Sequence, residues 1–173
     1  MNFIINYIMN DHIYIGRFKN VNIDNFGQFD TDSLNNTFRN DKYIETVDLS
    51  EFDGSNIISM RNTFDNCINL KSIVLPKNLS NLKDISYIFF NCKSLQNIDL
   101  KSINLNNLVI TNMFHNNISL ENVYVNSVSE AFKIHDMVPK CTNINVDFSA
   151  LKILQSEIEY MKSQIDYLMK RVC

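Results

Sequence analysis

Met60-Arg-Asn-Thr-Phe64-Asp-Asn-Cys67-Ile-Asn-Leu70-Lys-Ser-Ile73-Val-Leu75 decides the fold, because the chain writes this frame several times over. One period on, it returns as Ile85, Phe89, Cys92, Leu95, Ile98 and Leu100, and one further on as Ile110, Phe114, Asn117, Leu120, Val123 and Val125. One period back, it stands as Leu34, Phe38, Asp41, Ile44, Val47 and Leu49. Apolar columns held over four copies are far beyond chance. A fixed period in the twenties is the signature of a solenoid, in which each coil contacts only its neighbours. A chain built this way presents a surface.

Within the frame, the spacing assigns structure. Leu70, Ile73 and Leu75 end in alternation, which suits a short strand with Ile73 and Leu75 inward and Val74 outward. Ile57, Met60 and Phe64 are spaced three and four apart, as on one face of a helix, and Leu82, Ile85 and Phe89 repeat that spacing. Ser55 and Ser80 stand where N-caps belong. Each coil is therefore expected to be a strand, a turn, a short helical or irregular arm, and a turn back. Upstream, Phe18, Val21, Ile23 and Phe26 match Ile44, Val47, Leu49 and Phe52, so residues 1–29 read as an N-terminal cap coil. Downstream, Ile144-Asn-Val146 resembles another strand but follows Val123 by less than a full period, so 127–148 reads as a degraded last coil with Phe132 and His135 on its arm.

The fold class is thus an α/β solenoid over residues 1–148, about six coils with a parallel sheet on one face, followed by a coiled-coil helix over 149–173. That helix shows in Leu151, Leu154, Ile158, Met161, Ile165, Leu168 and Val172, which alternate gaps of three and four without a fault. β-Branched residues at a with Leu at d favour a parallel two-stranded coil, so these seven are the expected dimerisation residues of a homodimer. The alternative is a helix folded back to cap the last coil, and Ile153, Tyr160 and Tyr167 form a second stripe that would suit it.

The residues from Val47 to Leu70 resemble the BspA-type leucine-rich repeat: a leucine-aspartate-leucine strand, an Asn-rich arm, then Met, Phe, Cys and Leu at these intervals. Ile73-Val-Leu-Pro76 resembles the strand-then-proline version of that unit, and Asp41 and Asn117 depart from it in the Cys slot. Similar repeats occur in gene families of large DNA viruses. The resemblance implies a leucine-rich-repeat stack over about 18–146, serving in adhesion or as a protein-interaction scaffold.

Composition narrows the function classes. The 173 residues carry a net charge of −3 with no Lys/Arg cluster, so no electrostatic footprint for nucleic acid is expected. No apolar run is long enough to span a bilayer. The apolar start at Met1–Met9 lacks a basic region and a cleavage site, so the expected location is cytoplasmic; a trimmed leader would make it secreted or surface-bound. Three glycines and two prolines are few for so many turns, which leaves the turn chemistry to asparagine.

Chemistry-bearing residues do not converge on a site. Cys67 and Cys92 share one slot and read as small buried hydrophobes, a disulfide between them being the alternative. His12, His115 and His135 fall on different coils. A Cys141, His135 and Asp136 grouping has the residue types of nucleophile, base and orienter, but reads first as turn residues of a worn repeat. Asp30-Thr-Asp32-Ser opens like a calcium loop without its glycine and closing glutamate. There is no phosphate-binding glycine loop and no nucleophile elbow. The expectation is a non-enzyme with no metal and no cofactor. What remains is the outward row of the strands: Thr46, Asp48 and Ser50; Ser72, Val74 and Pro76; Asn97, Asp99 and Lys101; Asn122, Tyr124 and Asn126. With Val74 and Tyr124 among small polar groups, this row is the expected face for a protein partner. The expected function is an interaction scaffold dimerised through its helix; an extracellular adhesin or surface antigen is the alternative.

Overall fold

The computed structural model describes residues 8–9, 12–13, 20–22, 32–140, 142–149, 152, 155 and 158–163. In chain order the elements are β1 (Ile8–Met9), β2 (His12–Ile13), β3 (Asn20–Asn22), β4 (Thr46–Asp48), β5 (Ser72–Val74), β6 (Asn97–Asp99), β7 (Asn122–Val125), α1 (Val128–Ile134) and β8 (Asn143–Val146). Short 3-10 turns lie at Leu105–Asn107 and His135–Met137. β1 and β2 form an antiparallel pair.

The other strands pair in parallel at the spacing of the frame. Val21 lies beside Val47, and Val47 beside Ile73, one period apart in each case. Ile98 lies beside Val123 at the same kind of spacing, and Val123 beside Ile144 at a shorter one. The result is two three-stranded sheets, β3-β4-β5 and β6-β7-β8. Period two along each strand sends Val47, Ile73, Ile98 and Val123 into the core and their neighbours outward.

The columns of the frame fill that core. Phe38, Phe64, Phe89 and Phe114 are all buried and stack ring on ring at 5.0, 5.8 and 5.9 Å, within 11° of parallel. Beside them run Ile44, Leu70, Leu95 and Leu120, and Leu49, Leu75, Leu100 and Val125, all buried. Ile144 and Val146 of β8 pack against the same core.

The arms are not helical, contrary to the three-four spacing of Ile57, Met60 and Phe64. Each arm is a run of overlapping turns: Thr37 N–H donates to the Leu34 carbonyl, Arg39 to Asn36 and Asp41 to Phe38. Left-handed residues interrupt every arm at two fixed points. One column is Asn36, Asn62, Tyr87 and Asn112, the other Asn40, Asn66, Asn91 and Asn116, with φ between 51° and 64°. Asparagine tolerates that region, whereas an α-helix cannot pass through it. The N–H groups that a helix would return to its own chain go to the next repeat instead. Asn62, Phe64 and Asn66 donate to the carbonyls of Ser86, Ile88 and Phe90 at 2.8–3.0 Å. This arm-side ladder also carries the bridges Ser33–Ser59, Ser59–Asp84 and Asp84–Val109, so it runs on where the strand ladder stops between β5 and β6.

Two further departures concern single side chains. Pro76, expected outward, is buried. The helix of the repeat region lies in the last coil, as α1, and it turns Glu130 and Ile134 inward while Phe132 faces solvent. Ser127 caps α1 by accepting from the Glu130 N–H.

One glycine has a steric reason. A Cβ on Gly54 would sit 2.6 Å from the Asn78 carbonyl oxygen and 2.7 Å from Leu79 Cδ2 in the following repeat. The connector after β4 therefore passes too close to its neighbour for any side chain. Beyond β8, residues 149, 152, 155 and 158–163 are helical, and Lys152 N–H donates to the Phe148 carbonyl at 3.0 Å. The expected positions Leu151, Leu154, Ile165, Leu168 and Val172 lie outside the described residues, as do Ile153, Tyr167, Cys141, Cys173, Phe18, Phe26 and Asp30.

Candidate functional site

Nine residues of the expected partner-binding row, Thr46, Asp48, Ser72, Val74, Asn97, Asp99, Lys101, Asn122 and Tyr124, lie on the strand-side face, in two panels. On β4 and β5, Thr46 sits beside Ser72 and Asp48 beside Val74. On β6 and β7, Asn97 sits beside Asn122 and Asp99 beside Tyr124. Local chemistry already occupies much of the polar part. Thr46 Oγ1 donates to Asn20 Oδ1 at 2.8 Å, and Asn122 Nδ2 donates to Asn97 Oδ1 at 2.7 Å. Asp48 accepts from the Ser50 N–H and Asp99 from the Lys101 N–H, at 2.9 and 2.8 Å. The same aspartate turn recurs at Asp53, Asp84 and Asp147, so these carboxylates end strands or shape connectors. At Asp147 the Ser149 N–H holds the carboxyl below its ordinary range. Lys101 Nζ lies 3.5 Å from Asp99 Oδ2. The large apolar side chains exposed on this face are Val74, 50% exposed, and Tyr124, 39%. Exposed aromatic side chains are common anchors in protein interfaces.

Cys67 and Cys92 are not part of a surface site. Cys67 and Cys92 are free and fully buried. Cys67 Sγ donates to the Phe38 carbonyl at 2.9 Å and Cys92 Sγ to the Phe64 carbonyl at 3.1 Å. Burial raises both thiols, Cys92 to about 12 and Cys67 further. Asn117 follows Cys92 in this column, where its Oδ1 accepts from the Cys92 N–H. Of the candidate grouping at the last coil, His135 Nδ1 and Asp136 Oδ1 are 3.0 Å apart and solvent-exposed. Among the described residues, no group of three or more His, Cys, Asp or Glu is placed to hold a metal ion. No helix among them is long and apolar enough to cross a membrane.

Two clusters escaped the sequence reading. The first is an aromatic row on the arm face. The Arg61 guanidinium lies 5.1 Å from the Tyr87 ring, Tyr87 packs on Phe90 at 5.8 Å, and Phe90 stacks on His115 at 5.0 Å. The signal was Tyr87 in a column of asparagines. The second is a clamp from α1. The buried Glu130 carboxylate accepts from the N–H groups of Leu105 and Asn126 at 3.0 and 2.8 Å. Lys133 Nζ donates to the carbonyls of Leu105, Asn106 and Leu108 at 2.6–2.9 Å. No periodicity announces a lysine that caps a turn in the previous repeat.

Compared with known proteins, the chain matches over residues 32–151 the family described as Mycoplasma protein of unknown function, DUF285. No curated protein and no solved structure matches it. The matched span takes in all four complete copies of the frame and more than half of the chain, and the chain belongs to the DUF285 family.

Proposed function

We propose that this protein is a non-catalytic interaction scaffold: a leucine-rich-repeat-like solenoid that offers its strand-side face to a protein partner and pairs with a second copy through its C-terminal helix. The observation that carries the reading is the state of Ile158 and Met161. They hold an a and a d position of the heptad, and they are 47% and 55% exposed on the single chain. A parallel two-stranded coil would bury both against their twins. The repeat reading is supported by the parallel pairing of successive copies and by the association of DUF285 with BspA-like repeat proteins. Free buried thiols at Cys67 and Cys92 favour a reducing compartment such as the cytoplasm.

Light scattering after size exclusion tests the dimer on the full chain. The wild type should run at twice the chain mass, and Ile158→Glu with Met161→Glu at the chain mass with its circular dichroism unchanged. A monomeric wild type would defeat the dimer and leave the helix as a cap. The face is tested by a partner captured with the wild type and lost with Val74→Asp plus Tyr124→Ala.

A further inference from the structure

In the turns of the arm ladder the hydrogen bonds run one way; at its bridges they run back, Ile58 N–H donating to Asp32, Lys83 to Ile58 and Val109 to Lys83. Asn36, Phe38 and Asn40 donate to the carbonyls of Arg61, Thr63 and Asp65 in the next repeat. Met60, Asn62, Phe64 and Asn66 donate onward to Asp84, Ser86, Ile88 and Phe90, and Ile85, Tyr87 and Asn91 to Val109, Thr111 and His115. Within those turns, the donating N–H groups point toward the C-terminal end of the stack and the accepting carbonyls toward the N-terminal end. An ordinary parallel strand alternates donors and acceptors along each edge. Here the turns of the last arm offer backbone donors, while the Leu108 carbonyl, the counterpart of Lys83, already accepts from Lys133 Nζ.

Those donors meet nothing among the described residues. The N–H groups of Asn112 and Asn116, the equivalents of Tyr87 and Asn91, have no acceptor, and both residues are exposed. The asparagine side chains run the other way. Asn66 Nδ2 donates to Asn40 Oδ1 at 2.9 Å, Asn91 to Asn66, and Asn116 to Asn91 at 2.6 Å, which leaves Asn116 Oδ1 as an acceptor at the end of its column. Next to it, Asn117 Nδ2 is fully buried and has no partner, a costly state for an amide.

The last coil does not complete this edge. The step from Asn122 of β7 to its neighbour Asn143 of β8 is shorter than the step from Asn97 of β6 to Asn122. Within that shorter coil, α1 takes up Val128–Ile134. Among the described residues the strand side continues at this end and the arm side stops one row short.

We propose that this edge receives an extended segment of a partner protein, which adds one more row to the arm ladder. Its carbonyls would accept from Asn112 and Asn116, and a side-chain amide of its own, Asn or Gln, would donate to Asn116 Oδ1. The two donors stand at the interval at which the Thr111 and His115 carbonyls accept from Tyr87 and Asn91. A peptide in the arm conformation satisfies both donors at once. Because β8 already covers β7, the opening suits a single segment rather than another stack, as in strand addition to an open edge. This surface is separate from the strand-side face and does not depend on the dimer.

Residue-resolved amide exchange on the full chain tests the proposal, with a synthetic Ile-Ser-Met-Arg-Asn-Thr-Phe-Asp-Asn peptide, the sequence of residues 58–66, as probe. In the free protein Asn62, Asn66 and Asn91 should exchange slowly and Asn112 and Asn116 quickly. The peptide should slow Asn112 and Asn116 by about tenfold or more and leave distant amides unchanged. Asn116→Gly keeps the N–H and the left-handed backbone but removes Oδ1, so it should weaken that protection several-fold. Slow exchange of Asn112 and Asn116 before any peptide is added would overturn the proposal. So would unchanged exchange at millimolar peptide, or equal slowing by a scrambled peptide. Slowing by inorganic phosphate alone would also overturn it, and would assign the edge to an anion.

Discussion

The thiol of Cys92 donates to the backbone carbonyl of Phe64 in the preceding repeat, at 3.1 Å, and Cys67 does the same to Phe38 at 2.9 Å. The cysteine column thus joins neighbouring repeats at the point where the phenylalanine rings stack. Burial disfavours the charged thiolate, so the folded state holds each thiol proton more tightly than the unfolded state does. The stability this contributes is fully present below the ordinary thiol value of 9.0 and is lost as pH rises toward about 12 at Cys92. Urea midpoints measured between pH 8 and pH 11 should fall steeply for the wild type, and less steeply for the Cys67→Ala, Cys92→Ala double variant. Equal slopes would show that thiolate formation does not drive the alkaline loss. Iodoacetamide should leave both thiols unmodified in the folded protein and alkylate both in denaturant.

Phe64 is the centre of the ring column, with Phe38 on one side and Phe89 on the other. Phe64→Ala should cost about 3–5 kcal/mol, because both neighbouring rings lose contact area and the cavity is too enclosed to collapse. Phe132→Ala is the internal control. That ring is 75% exposed on α1, and its loss should change the denaturation free energy by no more than about 0.5 kcal/mol. Similar effects from the two variants would contradict the burial of the column.

Gly54 tests how closely successive connectors pack. The first atoms a Cβ would meet are the Asn78 carbonyl oxygen and Leu79 Cδ2, and the carbonyl belongs to backbone that cannot turn aside as a side chain would. Gly54→Ala should therefore destabilise by about 1–3 kcal/mol, the range for overpacking. Relief would require the connector around Asn78 to move. A Gly54→Ala protein as stable as wild type would mean that it does so freely.

The columns were legible because every repeat casts the same vote at the same position. Phe64, Leu70, Ile73 and Leu75 alternate or recur with one period, and each has its counterpart in the repeats on either side. Outward positions were legible on the strands for the same reason, except at Pro76, where the strand has ended and period two no longer applies. The arms were misread because the three-four spacing of Ile57, Met60 and Phe64 fits a helix and a set of stacked turns alike. The asparagines were the discriminating residues. Asn62 and Asn66 hold left-handed backbone, and each recurs in its own column, which a helix has no use for. Glu130 and Lys133 were illegible in a stricter sense: their partners are backbone atoms of Leu105–Leu108, and backbone carries no sequence signal.

Tyr87 is the exception in an asparagine column, and it is the place where local preference and tertiary contact disagree. Its φ of 59° matches Asn36, Asn62 and Asn112, but an aromatic side chain in that region is strained by about 1–2 kcal/mol. The contacts that oppose the strain are the Arg61 guanidinium over the ring and the tilted packing against Phe90. An exposed cation–π contact is worth about 0.5–1 kcal/mol and offsets about half of that strain, and the tilted Phe90 contact offsets part of the rest. Tyr87→Asn should accordingly raise stability by up to about 1 kcal/mol, by restoring the residue that the column uses elsewhere. Tyr87→Val should lower it by more than about 1 kcal/mol, since a β-branched residue keeps the strain and loses the ring. The pair separates the two contributions, because both variants lose the Arg61 contact and only one relieves the backbone. Chemical denaturation of the three proteins side by side gives the answer. If Asn and Val proved equally destabilising, the ring contacts would outweigh the strain and the left-handed backbone would be of no consequence at this position.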